Sequence, residues 1–310
     1  MYALQIEDIP FQDITLSARN DIEAWTAPWA MRSSEPNFSN LFIWQPFCQT
    51  SYAFVDGVLL IRFHCRRDEE FLLPPLPASP NQPYHHALSL ALEYFAVRGK
   101  RFFMRGITAE FRERIEKIMP GRFVFTRERD CDDYVYAADK LASLRGNKYH
   151  AKRNHINKFR SLYSYEYEPY SVSRHAEECL RLNELWHQSK NDETQGMMNR
   201  DHDAAQRCLL YADQLNMQGA VIRINGEVQA YTMGNQISPD TALIHMEKAN
   251  AQFHGVYPLI NQLFIQNTFA HLTYINREED LGLEGLRKAK LSYHPEFLIE
   301  KYKARLRNEK

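Results

Sequence analysis

Several features that usually place a chain are scarce in this one. The five cysteines in 310 residues, Cys48, Cys65, Cys131, Cys179 and Cys208, form no CxxC pair. An odd, scattered set makes no complete disulfide framework, so the expectation is a reducing cytoplasm. Long apolar runs are missing too. The most apolar helical stretch, 85–97, is interrupted by Glu93 and is too short to cross a bilayer. The opening MYALQIEDIPFQDITL has neither the basic start nor the long apolar core of a secretory signal. Net charge is nearly absent: it is -1, with a pI near 6.9. No global cationic field therefore draws the chain to nucleic acid or anionic lipid, and such binding needs a local patch. There is no Walker loop, Rossmann fingerprint or serine elbow. No metal site is expected, because the adjacent His85 and His86 point apart on a helix and the other histidines lack companions at ligand spacing.

What is present suits a folded, soluble protein of two domains, each burying its own core: 44% of residues are hydrophobic and 13% aromatic. Turn signals and periodicity give one order of elements twice. A helical region at 14–31 precedes an aromatic loop with Phe38, Phe42, Trp44 and Phe47. Two β-rich runs then flank Asp56-Gly57, which supplies positive φ at a tight hairpin. A strand at 71–73, a helix at 85–97, a strand at 101–107, a helix at 109–119 and strands at 122–126 and 134–137 follow. The second half opens with helices at 146–163, 174–190 and 201–214 and turns its hairpin at Asn225-Gly226. A strand at 241–248, a helix at 256–269, a strand at 272–276, a helix at 283–291 and a closing strand at 297–306 complete it. Repetition suggests duplication. The expected boundary lies between Asp139 and Arg145, giving domains 1–140 and 141–310. Leu182, Leu185 and Trp186, like Ala205, Leu209 and Ala212, have helical spacing and are read as core.

Charge gathers in two places. Between 274 and 302 an acidic turn (Glu278, Glu279, Asp280, Gly282) leads into a basic helix, an arrangement that suits a charged substrate or, equally, a solvated salt-bridged helix. Upstream, Arg145, Lys148, Lys152, Arg153, Lys158 and Arg160 crowd one helix, which Tyr149, Ile156, Phe159 and Tyr163 can seat on the core. Cations on its outer face would track phosphates or pair with Glu166 and Glu168.

The run NREEDLGLEGLRKAKLSYHP and the upstream GNKYHAKRNHINKF resemble a bacterial family of uncharacterised proteins related to the C-terminal domain of phosphatidylglycerol lysyltransferase, and the likeness covers most of the chain. The resemblance implies an α+β fold of two tandem GNAT-like (acyl-CoA N-acyltransferase) domains, each a mixed, mostly antiparallel sheet flanked by helices. It also implies kinship with enzymes that take an aminoacyl group from a tRNA. Membrane-bound lysyltransferases carry a transmembrane half that this sequence lacks, which weighs against a lipid acceptor.

In a fold of that kind the strand at 241–248 splays from its neighbour, and the next helix offers free N–H groups to the donor's phosphates. Gln252, Gly255, Val256 and Tyr257, ahead of Pro258, partly match the family pattern Q/R-x-x-G-x-G/A and are the candidate cofactor contacts; Tyr257 stands where a second small residue belongs. The first half has a proline-rich run at 73–83 in the corresponding place, which lacks the amides for a phosphate nest. Donor binding is therefore expected in the second half alone, with the first structural or shaping the acceptor groove.

Amide-forming acyl transfer needs a neutral amine, a stabilised oxyanion and a proton for the leaving group. Strand alternation puts Leu243, His245 and Glu247 on one face. Glu247 is the candidate general base or partner of a substrate ammonium, with a strand-edge salt bridge as its plain alternative. Tyr293 is the candidate proton donor to the departing oxygen or sulfur, and Asp280 the third candidate catalytic residue, able with Glu279 to hold an amino group. Asn276, Arg287 and Lys290 join Glu279 as candidate substrate contacts, the two cations three apart on one helical face. Lys148, Lys152, Arg153 and Lys158 are the candidate tRNA contacts.

Two functions stay open. One is an acyltransferase that moves an aminoacyl group from aminoacyl-tRNA, or an acyl group from acyl-CoA, to an amine or hydroxyl on a small-molecule, peptide or lipid acceptor. The donor is then a co-substrate, and no tightly bound cofactor is expected. The other is a non-catalytic RNA-binding module on the same fold.

Overall fold

The computed structural model describes residues 9–65, 69–188 and 195–308. Along the chain run β1 (Gln12–Asp13), α1 (Arg19–Thr26), α2 (Phe38–Cys48), β2 (Ser51–Val55), β3 (Val58–Cys65), β4 (Glu69–Leu72), β5 (Leu76–Pro77), α3 (Tyr84–Ala96), β6 (Met104–Thr108), α4 (Ala109–Ile118), β7 (Phe123–Arg127) and β8 (Asp133–Ala137). There follow α5 (Ala138–Ser143), α6 (His150–Leu162), β9 (Glu166–Pro169), α7 (Val172–Gln188), α8 (Gln195–Leu210), β10 (Gln218–Ile224), β11 (Glu227–Ser238) and β12 (Thr241–Ala249). The last elements are α9 (Val256–Phe264), β13 (Tyr274–Asn276), α10 (Glu284–Leu291), β14 (Phe297–Ile299) and β15 (Lys301–Leu306).

The strands form two mixed sheets. One has the order β1-β2-β3-β4-β6-β15-β7, with β5 on β3; the other has β14-β8-β13-β12-β11-β10-β9. Both expected hairpins turn through left-handed pairs, Asp56 and Gly57 at φ 47° and 76°, and Asn225 and Gly226 at 52° and 82°.

Two compact units result. The first holds residues 1–133, 279–283 and 299–310, the second 134–278 and 284–298. A cut at 140/141 does not separate them. Strand β8, expected to close the first half, pairs with β13 in the second sheet. The expected closing strand at 297–306 breaks at Glu300 into β14, in the second sheet, and β15, which lies between β6 and β7 in the first. Each sheet thus takes a strand from the other half of the chain. Period-two alternation shows that a short segment is a strand but not which sheet it joins. In the first unit Lys301 is fastened at 2.7 Å to both Asp133 and Glu35, which pins the returning strand.

Other readings change as well. The aromatic loop is helix α2, started by the Asn37 side chain, which accepts from the Asn40 N–H, and buried through Phe38, Leu41 and Phe42 at i, i+3, i+4. Leu185 is 62% exposed and so is not core, whereas Ala205, Leu209 and Ala212 are buried. Residues 189 and 190 of the expected helix at 174–190, and the first eight residues, on which the reading of a leader partly rests, lie outside the described residues. Cys131, Cys179 and Cys208 are free thiols, but Cys48 is disulfide-bonded, which cysteine spacing did not foretell. Among the described residues no helix is long and apolar enough to cross a membrane.

The core of the second unit packs Tyr136, Phe159, Ile222, Leu259, Phe264 and Ile275 between the sheet and helices α5, α6 and α9. This core places the site described next.

Candidate functional site

Strands β12 and β13 run parallel for only three residues, Thr241 to Leu243 opposite Tyr274 to Asn276. β12 then continues to Ala249 without β13 beside it. The departure coincides with an irregularity on its other edge. Met233 is opposite Met246 and Gly234 opposite Ile244, so His245 is the extra residue of a bulge, a device that bends a strand and re-aims its side chains. Gly234 is required there, because a Cβ would come within 2.5 Å of the Leu243 carbonyl oxygen.

Glu247 lies past this fork and is mostly buried. Its Oε1 accepts from Arg277 Nη2 at 3.1 Å and its Oε2 from Asn261 Nδ2 at 3.0 Å, while Thr232 is its cross-strand neighbour. Arg277 directly follows β13, so the ion pair joins the two strands where their backbones have parted. Burial opposes the Arg277 charge, but Glu247, Tyr136 and Tyr293 outweigh it and raise the pKa. The guanidinium sits 4.9 Å from the Tyr293 ring. Burial raises the pKa of Tyr293, so the phenol keeps its proton. Lys152, half-buried on α6, places Nζ 4.0 Å above the same ring. Burial first, then the Arg277 charge, lowers its pKa to about 8, with Glu247 acting the other way.

The polar accounting of this cluster is incomplete. Among the described residues six buried side-chain atoms lack a hydrogen-bond partner, and three of them, Thr232 Oγ1, Asn261 Oδ1 and Arg277 Nη1, belong to the neighbours of Glu247. Each such atom costs on the order of 1–3 kcal/mol. Together they offer a donor, an acceptor and a hydroxyl that can serve as either. A bound molecule with matching groups would recover that cost.

The remaining candidates divide. His245 does not share the face of Glu247, as plain alternation would have it: the bulge leaves Glu247 on the face of Ile244 and Thr232, toward Asn261 of α9, whereas His245 turns to Asn235, with Nε2 2.8 Å from its Oδ1 and Nδ1 3.2 Å from Glu278 Oε1; burial lowers its pKa to about 3. Asn276 accepts from the Glu278 N–H at 2.7 Å and holds the turn after β13. Lys290 is buried and donates to the carbonyls of Arg277 and Glu278, so it braces the same turn. Arg287 is half-buried on α10. Asp280 and Glu279 fall in the first unit, where Asp280 is fully buried, accepting from the Gly282 N–H at 2.9 Å and from Arg129 at 3.2 Å.

In the loop before α9, Gln252 is exposed and its N–H is taken by Asn250 Oδ1; the N–H groups of Phe253 and Val256 go to Asn250 and Phe253. Gly255 has φ 100°, and a Cβ there would lie 2.4 Å from the His155 carbonyl oxygen, so its small size serves packing against α6. Tyr257 accepts from Trp186 Nε1 at 3.0 Å and from the Ala249 N–H. Three of the loop's amides are thus committed internally, which leaves little of a pyrophosphate cradle.

Lys148, in the turn just before α6, and Lys158, on α6, are exposed, while Arg153 donates to the carbonyls of Leu144 and Gly146 and Lys152 turns inward. In the first unit the carbonyls of Leu76 and Pro77, within the proline-rich run, accept from the indoles of Trp25 and Trp29. A cavity of about 380 Å³ beside α3 in that unit is lined mainly by apolar side chains, Phe95, Phe102 and Met119 among them, and none of the unpartnered polar atoms lines it. Glu184, His187 and His202 bring ligand atoms within 4.8 Å of one another. The ring nitrogens are engaged elsewhere, however: His202 Nδ1 lies 3.1 Å from Asn183 Nδ2 and its Nε2 2.9 Å from Gln206 Nε2, and His187 Nε2 lies 2.8 Å from Asn199 Oδ1, so we read a hydrogen-bonded cluster there.

Residues 26–305 match the protein family described as Phosphatidylglycerol lysyltransferase, C-terminal. The chain belongs to this family. It is similar to a crystal structure of a conserved protein of unknown function from Bacteroides thetaiotaomicron, at 37% identity and TM-score 0.90, covering 96% of this chain and 100% of that one. It is similar in fold to L-PGS from Bacillus licheniformis, at 14% identity and TM-score 0.66 over 96% and 94% of the two chains. It also resembles a tandem GNAT protein from the clavulanic acid biosynthesis pathway, at 10% identity and TM-score 0.53 over 95% and 97%. The fold is therefore the tandem GNAT-like one. A stretch of 180 residues is 26% identical to an uncharacterised protein of Mycoplasmoides gallisepticum; it is 55% of this chain and 54% of that protein, so the match spans about half of that relative's length.

The two runs that carry the sequence resemblance pass through the site, 276–295 supplying Arg277 and Tyr293 and 146–159 supplying Lys152. Sequence reasoning reached Glu247 and Tyr293 but passed over Arg277, Asn261 and Thr232. Arg277 stood inside the quoted run NREEDL, a lone cation at a strand's end beside three acids. Asn261 and Thr232 gave no local signal, because a polar residue on a buried face becomes informative only once its neighbours are known.

Proposed function

We propose that the protein is an acyltransferase whose second unit binds an activated carboxyl donor in the fork between β12 and β13. The observation that carries the reading is the set of three unpartnered polar atoms around Glu247, past the point where the two strands separate. Arg277 Nη1 would hold the oxyanion that forms when the acyl carbon is attacked, a term worth roughly 3–4 kcal/mol per donor. Glu247, with both oxygens engaged, positions Arg277 and Asn261 rather than moving a proton. Tyr293, whose burial holds its pKa up, keeps its proton for the departing oxygen or sulfur.

Of the two donors, aminoacyl-tRNA has the better support. Lys148, Lys158 and Arg160 are exposed on or beside α6, suited to phosphates. The committed amides before α9 count against acyl-CoA. Those exposed cations also favour the second reading, an RNA-binding module without catalysis.

Hydroxylamine, as a surrogate acceptor, separates the readings before the natural acceptor is known. Incubated with radiolabelled aminoacyl-tRNA or acyl-CoA, the protein should form hydroxamate from aminoacyl-tRNA, and Arg277→Met should lower the rate about a hundredfold or more. RNA binding without hydroxamate from either donor would favour the second reading.

A further inference from the structure

Lys152 is at odds with its surroundings. Among the described residues none accepts a hydrogen bond from its ammonium or pairs with it as a salt bridge; its contact is the face of Tyr293, 4.0 Å away. An ammonium makes three hydrogen bonds in water, and an aromatic face replaces them poorly once the group is half-buried. The groups packed against it sharpen the point. Arg277, after β13, is a second cation 4.9 Å from the same ring. Glu247, on β12, is the one carboxylate among them, and its two oxygens are occupied by Arg277 and Asn261. Tyr293, beyond α10, is a phenol that keeps its proton. On the lysine's own helix Arg153 is turned to the carbonyls of Leu144 and Gly146. Two positive charges therefore share one negative charge where water reaches them only in part, and of the two only the lysine can give up its proton.

We propose that Lys152 is the proton acceptor of the transfer reaction, deepening the acyl-transfer reading on which it rests. As the acceptor's nitrogen or oxygen bonds to the acyl carbon, its proton passes to the free amine of Lys152. The bond from the acyl carbon to the donor's oxygen or sulfur breaks, and that atom leaves with the proton of Tyr293. Lys152 then releases its proton to solvent and Tyr293 regains one, so both groups end as they began. A lysine first read as a tRNA contact thus belongs to the chemistry, while Lys148 and Lys158 keep the outward role. The pKa of about 8 leaves a useful fraction of free amine near neutrality, which a lysine in water does not have.

Competitive acetylation of the intact protein across pH 6–10.5, read lysine by lysine by peptide mass spectrometry, tests the amine without needing any substrate. The rate at Lys152 should inflect near pH 8, and the rates at exposed Lys148 and Lys158 should still be climbing well above it. An ordinary inflection at Lys152 overturns the proposal whatever the enzyme does. In the hydroxylamine assay Lys152→Arg, which keeps the charge but cannot release it, should lower kcat about a hundredfold or more, leave KM within a few-fold and abolish the rise in rate through pH 8. Unchanged kcat in this variant also overturns it. A low inflection in a protein that consumes neither donor would instead sink the acyl-transfer reading, and this role for Lys152 with it.

Discussion

Glu247 and Arg277 meet at 3.1 Å past the point where β12 has left β13, so a side-chain ion pair stands where backbone pairing has ended. Both side chains are nearly nine-tenths buried, at 12% and 13% exposure. Removing one partner leaves the other charged and desolvated, which typically costs about 3–5 kcal/mol. Arg277→Met and Glu247→Met should each destabilise the protein on that scale in urea unfolding. The double variant should cost clearly less than the sum of the two.

Gly255 offers a second test, because its two readings predict different losses. At φ 100° and with a Cβ 2.4 Å from the His155 carbonyl oxygen, Gly255→Ala forces α6 and the loop apart. We expect a loss of about 2 kcal/mol or more, measured as a lowered unfolding midpoint. A variant of wild-type stability that had lost only donor binding would restore the phosphate-cradle reading.

The basic helix should behave as two groups. Lys148→Glu/Lys158→Glu changes exposed charges, so it should weaken RNA binding and flatten the dependence of log K on log salt, with little effect on stability. Arg153→Glu removes donors from the carbonyls of Leu144 and Gly146 and should act mainly on stability. Filter binding at several salt concentrations, beside thermal unfolding, separates the two effects.

Lys152 also makes stability depend on pH in a defined window. Its pKa is about 8 in the folded protein against an ordinary 10.5. Between those values the unfolded chain holds a proton that the folded one has released, so this group's contribution rises with pH; below 8 both states are protonated and the burial penalty is felt in full. Wild-type stability should therefore improve relative to Lys152→Met as pH is raised from 8 to 10.5, in urea titrations at fixed ionic strength.

Much of the architecture could be read from the residues. Asp56-Gly57 and Asn225-Gly226 gave both hairpins, and the spacing of Ile156 and Phe159 gave the buried face of α6. Long-range pairing could not be read. β8 and β15 are short segments whose alternation is satisfied in either sheet, and only tertiary packing decides between them. The site shows the same limit: Glu247 and Tyr293 could be singled out, but the bulge at His245 breaks the alternation that would set Leu243, His245 and Glu247 on one face, Asn261 matters because it touches Glu247 from a different element, and Lys152 turned out to face inward from a helix whose composition suggested an outward cation. Asp280 and Lys290, conspicuous as charges, brace turns.

The central claim is that the second unit holds an activated carboxyl group beside Arg277, Asn261 and Thr232. A crystal structure of the full chain soaked with a non-hydrolysable 3′-aminoacylamido-adenosine tests this most directly. The ligand's carbonyl should lie within hydrogen-bond distance of Arg277 Nη1, with Asn261 Oδ1 or Thr232 Oγ1 satisfied by the same molecule. The ligand bound in the first unit, or a fork left unchanged at saturating ligand with all three atoms still unpaired, would contradict the account.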